Sequence, residues 1–334
     1  MTSTGARGDT ATEMKNIRDI TALGSSVNSI YKELIQQINA VTDVELYTAN
    51  AVFVWPDLSV VPRFTLDLSS YYSAQANRIK FSAGGRPEKP INDDVAARTR
   101  NIITVLPRTS TVDNRTGLVL IDSLFFNGTW ETPFEQIRTK SQDFHQLGGS
   151  VKQVEMMNDD RYVNIKRDDV NKVDVAELSF KGGRFSLYIA LPHAVDGITD
   201  IEKLVVQPGK VQQLFTDLIN VRVRLAIPKF KAESTLSPNT PLEDLGMTRA
   251  FSPSLANFGG IAAADLYISH VLHTAVLEVK ESKTVAAAAA DINIPIRTGF
   301  VMPPSESFVA DHPFVYFLRD NQTGQILFQG KFSG

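Results

Sequence analysis

The stretch from Glu281 to Arg297 holds five consecutive alanines, Ala286 to Ala290, and constrains the fold more than any other part of the chain. Read from Thr284, the residues Thr284, Ala286, Ala288, Ala290, Ile292, Ile294 and Ile296 share one parity. Val285, Ala287, Ala289, Asp291, Asn293 and Pro295 share the other. Successive side chains of a strand point to opposite faces, so the first set is small and then apolar while the second turns polar. A strand buried on one face needs that pattern. Alanine nevertheless favours helix over strand, and Asp, Asn and Pro resist the middle of a sheet. The segment reads as a strand that is not always a strand. The plainer alternative is an alanine-rich helical turn or linker.

The chain of 334 residues is long enough for one large domain or two ordinary ones. Hydrophobic content of 43% and charged content of 21% are those of a soluble globular protein. A net charge of −3 supplies no attraction for nucleic acid or an anionic membrane. No run approaches the roughly 20 apolar residues that span a bilayer. The absence of cysteine excludes a disulfide framework, a thiol nucleophile and a thiolate metal site. The start Met1-Thr2-Ser3-Thr4-Gly5 has neither signal-peptide nor transit-peptide character and reads as the middle of a domain. Sequons at Asn114, Asn127 and Asn321 are glycosylation candidates if the protein is secreted.

The first hundred residues read as mostly helical. Helices are predicted from Thr10 to Ile20 and over 25–40, 64–79 and 91–106, with a strand over 47–55. From Gly117 the character turns to sheet. Residues 118–126 are nearly all apolar, as in a central strand covered on both faces. Further strands are predicted over 172–180, 184–191, 221–230, 266–279, 313–320 and 325–332, the last two forming a hairpin. Early helices followed by many strands, with no Gly/Ser-rich linker and no repeat, suggest a single α+β domain over 1–334.

Chemical motifs are mostly absent. There is no nucleophile elbow, phosphate loop, dinucleotide fingerprint or His-Glu-x-x-His. His270 and His273, three apart on a predicted strand, face opposite sides and do not share a metal. No catalytic residue, metal or cofactor is expected. Arg7-Gly8-Asp9 stands just before a helix, where Asp9 or Thr10 is read as a cap.

Several separated stretches, in order, resemble the serpin family of serine protease inhibitors over essentially the whole length. Leu124-Phe125-Phe126-Asn127-Gly128-Thr129-Trp130 with Pro133-Phe134 resembles its central strand and Phe-x-Gly-x-Trp turn. Val154-Glu155-Met156-Met157 resembles the strand after that turn, and Ala226-Ile227-Pro228-Lys229-Phe230 its Leu-Pro-Lys-Phe block. Glu243-Asp244-Leu245-Gly246-Met247 resembles its Leu-Gly-Met helix. Ala310-Asp311-His312-Pro313-Phe314 and Ile326-Leu327-Phe328 resemble its C-terminal hairpin.

The resemblance implies a serpin fold of three β-sheets, a helical subdomain and an exposed reactive-centre loop at about 281–305. It also implies a mechanism. A protease cleaves the loop and forms its acyl-enzyme; the upstream arm then inserts as a new central strand and distorts the tethered enzyme. Thr284, Ala286, Ala288 and Ala290 are small as that passage requires, and each isoleucine behind them adds roughly 1.5–3 kcal/mol on burial. Counting by family spacing from the hinge glutamate Glu281 puts the scissile bond at Arg297-Thr298, which suits a trypsin-like specificity pocket. A bond shifted to Phe300 or Met302 would suit a chymotrypsin-like enzyme. His273 corresponds to the family's shutter histidine, with Asp122 where asparagine is usual. Trp130, Lys229 and Glu281 correspond to the breach, where the hinge meets the sheet.

Two departures stand out. Lys283 replaces the expected hinge glycine. The chain also starts near what resembles the end of the family's second helix, so the first helix and the shutter serines are expected to be missing or rearranged. The expected function is suicide inhibition of trypsin-like serine proteases by a monomer that is secreted or displayed at the cell surface. A cytoplasmic member is the alternative for location, and a non-inhibitory binding or carrier serpin the alternative for function. Residues 25–40 carry no dense basic face, so heparin is not expected as a partner.

Overall fold

The computed structural model describes residues 1–17, 24, 26–55, 57–78, 88–104, 117–281, 304 and 306–334. The helices are α1 (Gly8–Ile17), α2 (Val27–Asn39), α3 (Pro62–Tyr72), α4 (Glu88–Arg98), α5 (Ile198–Val205), α6 (Lys210–Leu214) and α7 (Asn239–Asp244). The first strands are β1 (Val44–Val54), β2 (Gln75–Arg78), β3 (Leu118–Gly128), β4 (Lys140–His145), β5 (Val151–Asp168), β6 (Val173–Ser179) and β7 (Phe185–Pro192). They are followed by β8 (Ile219–Pro228), β9 (Phe230–Leu236), β10 (Ile268–Val279), β11 (Glu306–Val309), β12 (Phe314–Asp320) and β13 (Ile326–Phe332). Two compact units form, one from Met1–Phe126 and Ala232–Leu277, the other from Asn127–Lys231 and Glu278–Gly334.

A five-stranded sheet has the order β2-β1-β3-β10-β9. In the first unit both faces of this sheet are covered, and β1 carries the reason in its sequence. Ala49, Ala51 and Phe53 enter one core with Ile91 and Val95 of α4. Val52 and Val54, of opposite parity, enter another with Met14 of α1 and Phe64 and Leu68 of α3. β3 divides the same way, Leu118 into one core and Val119 and Ile121 into the other. This double burial is why its sequence is almost continuously apolar.

The second unit holds an eight-stranded sheet of order β11-β8-β5-β6-β7-β12-β13, with β4 on β5. Every residue of β7 is buried. Tyr188 and Ala190 pack with Ile198 and Ile201 of α5 and Leu214 of α6. The three sheets expected from the sequence appear as two hydrogen-bonded networks, and the 18-residue length of β5 is the reason. One edge of β5 pairs β8 over Met156 to Ile165. The other edge pairs β4 up to Met156 and β6 from Asn164.

Two predicted helices end earlier than their periodicity suggests. The helix predicted over 64–79 stops at Tyr72 because Ser73 turns left-handed at φ 48°, and Ala74 N–H caps Leu68 C=O at 3.2 Å. The chain then forms β2, parallel to β1. The helix predicted over 91–106 stops at Arg98. Buried Thr99 turns its hydroxyl to Val95 C=O at 2.8 Å, and Arg100 and Asn101 take positive φ. The Leu-Gly-Met block lies just beyond α7 rather than within it. Gly246 at φ 103° and Met247 donate to Glu243 C=O and Leu242 C=O, the double bond of a Schellman end. The cap at α1 also differs, since the helix begins at Gly8 and places Asp9 inside the first turn. Asp9 pairs there with Arg249 at 3.1 Å, and Thr10 Oγ1 accepts Asn257 N–H at 3.0 Å.

Gly246→Ala forces a side chain into a left-handed backbone. It should lower unfolding stability by about 1–2 kcal/mol, read from the urea midpoint at unchanged m-value.

Candidate functional site

At the end of β3 the backbone passes through Gly128, where a Cβ would lie 2.3 Å from the Phe180 ring. Only glycine lets that ring approach. Phe180 can then stack on Trp130 at 4.3 Å with the planes 12° apart, and Phe134 meets Trp130 edge-on at 5.9 Å. Bonds from Lys181 N–H to Thr129 C=O and from Glu131 N–H to Ser179 C=O lock the two segments together. Arg161 holds the following turn, donating to Pro133 C=O at 3.1 Å with its guanidinium 4.0 Å over Phe134.

The indole of Trp130, 2 % exposed, has one polar atom to satisfy. Its N–H donates to Lys280 C=O at 2.7 Å, which ties the aromatic cluster to the chain just past β10. The next residue, Glu281, is 8 % exposed. Its Oε1 accepts the Thr139 hydroxyl at 2.9 Å and its Oε2 lies 3.0 Å from Lys229 Nζ. Its C=O accepts Phe134 N–H at 3.3 Å. Burial works to raise the carboxyl pKa, but bonds from its own backbone amide, Lys229 and Thr139, with the lysine charge, outweigh it and hold the pKa below the usual range. Trp130, Lys229 and Glu281, predicted together, are brought together here, all within the second unit.

In the first unit, His273 of β10 and Asp122 of β3 meet at 2.7 Å between Nδ1 and Oδ2. The Asp122 hydrogen bond raises the histidine pKa, partly opposed by burial. Lys283, Thr284, Ala286, Ala288, Ala290, Arg297, Thr298 and Asn114 lie outside the described residues. Asn127 is 9 % exposed within β3. Asn321 spends its side-chain amide on Ser186 Oγ at 2.8 Å and Gly183 C=O at 3.3 Å, which ties the hairpin turn down. Among the described residues no group of three or more His, Asp or Glu could hold a metal, and no helix is long and apolar enough to cross a membrane. Sequence reasoning missed Thr139, Phe180 and Arg161. No local pattern marks them, because each meets its partner across a long stretch of chain.

A sequence profile for Serpin (serine protease inhibitor) matches residues 1–334. Plasminogen activator inhibitor 1 of Sus scrofa is 33% identical over 313 residues, covering 92% of this chain and 76% of that protein. Serpin B10 of Homo sapiens is 31% identical over 332 residues, covering 98% and 83%. The crystal structure of Serpin48, a highly specific serpin in the insect Tenebrio molitor, superposes with a TM-score of 0.86 at 31% identity, covering 100% of this chain and 87% of that one. Uncleaved ovalbumin matches with a TM-score of 0.87 at 26% identity, covering 99% and 89%. The chain belongs to the serpin family and has the serpin fold.

Two measurements follow from the site. Lys229→Met leaves the Glu281 carboxylate without its cation and should cost about 1–2 kcal/mol of unfolding stability, a value kept small because Lys229 is half exposed. The raised His273 pKa adds stability below the unfolded value of about 6.5, and that stability fades as pH rises through the folded value. Both partners are partly exposed, so the effect should stay under about 1 kcal/mol. Urea midpoints at pH 5.5 and 8.5 should therefore converge in Asp122→Asn.

Proposed function

We propose that this serpin is an irreversible inhibitor of trypsin-like serine proteases, cleaved at Arg297-Thr298 within a reactive loop of about 281–305, and that it acts as a monomer. The observation that carries the reading is the connection at Glu281. β10 runs directly into a glutamate held by Lys229 and Thr139, and the alternation of Thr284, Ala286, Ala288 and Ala290 starts three residues later. A chain leaving β10 at that point would have to turn back to pair beside it. β10 lies between β3 and β9 in the sheet, and the serpin mechanism would have the returning arm part β3 from β10 and become a sixth strand between them.

The small inward side chains lower the barrier to passage between closing strands, and the isoleucines behind them add burial once the arm is in. Each backbone group of the arm gains a ladder partner at the same time. The starting fold is then held by a barrier rather than by its free energy, and cleavage lowers that barrier. Arg297 supplies a guanidinium for the buried carboxylate of a trypsin-like specificity pocket.

Mixed with bovine trypsin, the protein should give an SDS-resistant band of summed mass, and Arg297→Ala should abolish it. Cleavage at Arg297 with full recovery of trypsin activity would sink the inhibitor reading and favour a binding or carrier protein instead. Lys283→Gly, which restores a flexible hinge, should leave the amount of complex equal or greater.

A further inference from the structure

The reactive segment is anchored at two feet, and a cleft lies between them. The upstream foot is Glu281, bonded to Thr139, which sits between Arg138 and Lys140 at the start of β4. The downstream foot is β11, whose Ser307 lies opposite Arg224 of β8 in the parallel register. The strands from one foot to the other are β4, β5, β8 and β11. At about 4.8 Å per strand this face is only about 15 Å wide. On it, Ile137, three cations (Arg138, Lys140 and Arg224) and two carboxylates (Asp159 and Asp160) line a cleft of about 330 Å³.

The cleft is not an ordinary solvated face. Ile137 is 85 % exposed at its rim. Arg138 is held by Glu135 and Asp159 at 3.1 and 2.9 Å. Lys140 and Arg224 have no side-chain hydrogen bond or ion pair among the described residues, although Asp160 stands opposite Arg224 in the strand register. An apolar knob and two uncommitted cations are thus presented together. Chain length says what comes near them. Arg297 precedes Glu306 by nine residues, which span at most about 30 Å. A protease catalytic domain of about 230 residues has a radius of gyration of about 17 Å. A body of that size, with its active site on so short a tether, stands over a face about 15 Å wide.

We propose that this cleft is a second docking surface for the attacking protease, and that it favours trypsin-like proteases bearing an acidic surface with an apolar patch beside the active-site mouth. The inference rests on the inhibitor reading above. Lys140 and Arg224 steer the encounter and Ile137 is covered in it, so the cleft acts on association rather than on acylation or insertion.

The test compares association rate constants with two trypsins of the same cleavage specificity, one anionic and one cationic. The variant is Lys140→Glu with Arg224→Glu. The control, Lys203→Glu with Lys210→Glu on α5 and α6, makes the same change in net charge. With anionic trypsin at low salt the cleft variant should associate about 10-fold more slowly and the control less than about 2-fold. The gap should shrink at 0.5 M salt, where screening is stronger. Cationic trypsin should not be slowed, and the covalent complex should form at the same stoichiometry in every case. Equal slowing of cleft variant and control would show that only net charge matters and would overturn the inference, as would no slowing of either. If the unmodified protein forms no complex with either trypsin, the inhibitor reading fails and the docking surface falls with it. That outcome is told apart from the others by the missing covalent band.

Discussion

The carboxylate of Glu281 is carried out of water and held between an ammonium and a hydroxyl, and the course of the chain beyond β10 depends on that arrangement. An unpaired buried carboxylate would cost several kcal/mol. The chain can therefore place a glutamate here only because the residue after β8 supplies Lys229 and the residue before β4 supplies Thr139. One position earlier, Lys280 C=O is satisfied by Trp130, whose own seat requires Gly128 and Phe180. Consecutive residues, Lys280 and Glu281, are thus gripped by separate parts of one unit.

The grip is built from polar contacts of moderate strength around a partly open lysine, and this suits a structure that is proposed to rearrange. A wholly apolar seat would be harder to release, while an unpaired charge would not be tolerated at all. The pair between Asp122 and His273 adds a charged link between β3 and β10, the strands that insertion would part. A carboxylate at position 122 makes this contact respond to pH. Protonated histidine strengthens it, and neutral histidine leaves an ordinary hydrogen bond.

Selectivity in an inhibitor of the proposed kind is a difference between proteases, and a single arginine in the proposed loop would offer little of it, since every trypsin-like pocket accepts one. The face between the feet of the loop supplies a second place at which proteases can differ. Its strands are held by long ladders, with ten paired positions between β5 and β8, so the cations stand on a rigid support. Charges placed there would act before contact is made, whereas the proposed gate at Glu281 would act after cleavage.

Periodicity alone located most elements. β3, β6, β7, β10, β12 and β13 fall close to their predicted ranges, because each is apolar for strand length and punctuated at its ends. Periodicity did not locate β5, of which only Val154 to Met157 was marked by a family motif, or the helices α5 to α7. The strands β4, β9 and β11 were not legible either. They are short and polar, and their backbone pairing depends on neighbours far away in sequence. The helices predicted over 64–79 and 91–106 ran on past the apolar stripe, where Ser73, Arg100 and Asn101 adopt left-handed backbone that residue type does not announce. Family motifs picked out Trp130, Lys229, Glu281, Asp122 and His273 as residues of one gate and one strand pair. Their distances, and the parts played by Thr139, Phe180 and Arg161, belong to the tertiary structure. The sequence by itself determined the family, the alternation of small and apolar residues after Glu281, and the arginine beyond it, because these are patterns along the chain. Only the folded chain decided that Glu281 is buried with a lysine and a threonine, that Asn127 is enclosed, and that Lys140 and Arg224 share one cleft with Ile137. Each of these depends on which distant strands become neighbours, and hydrogen-bonded register settles that rather than local composition.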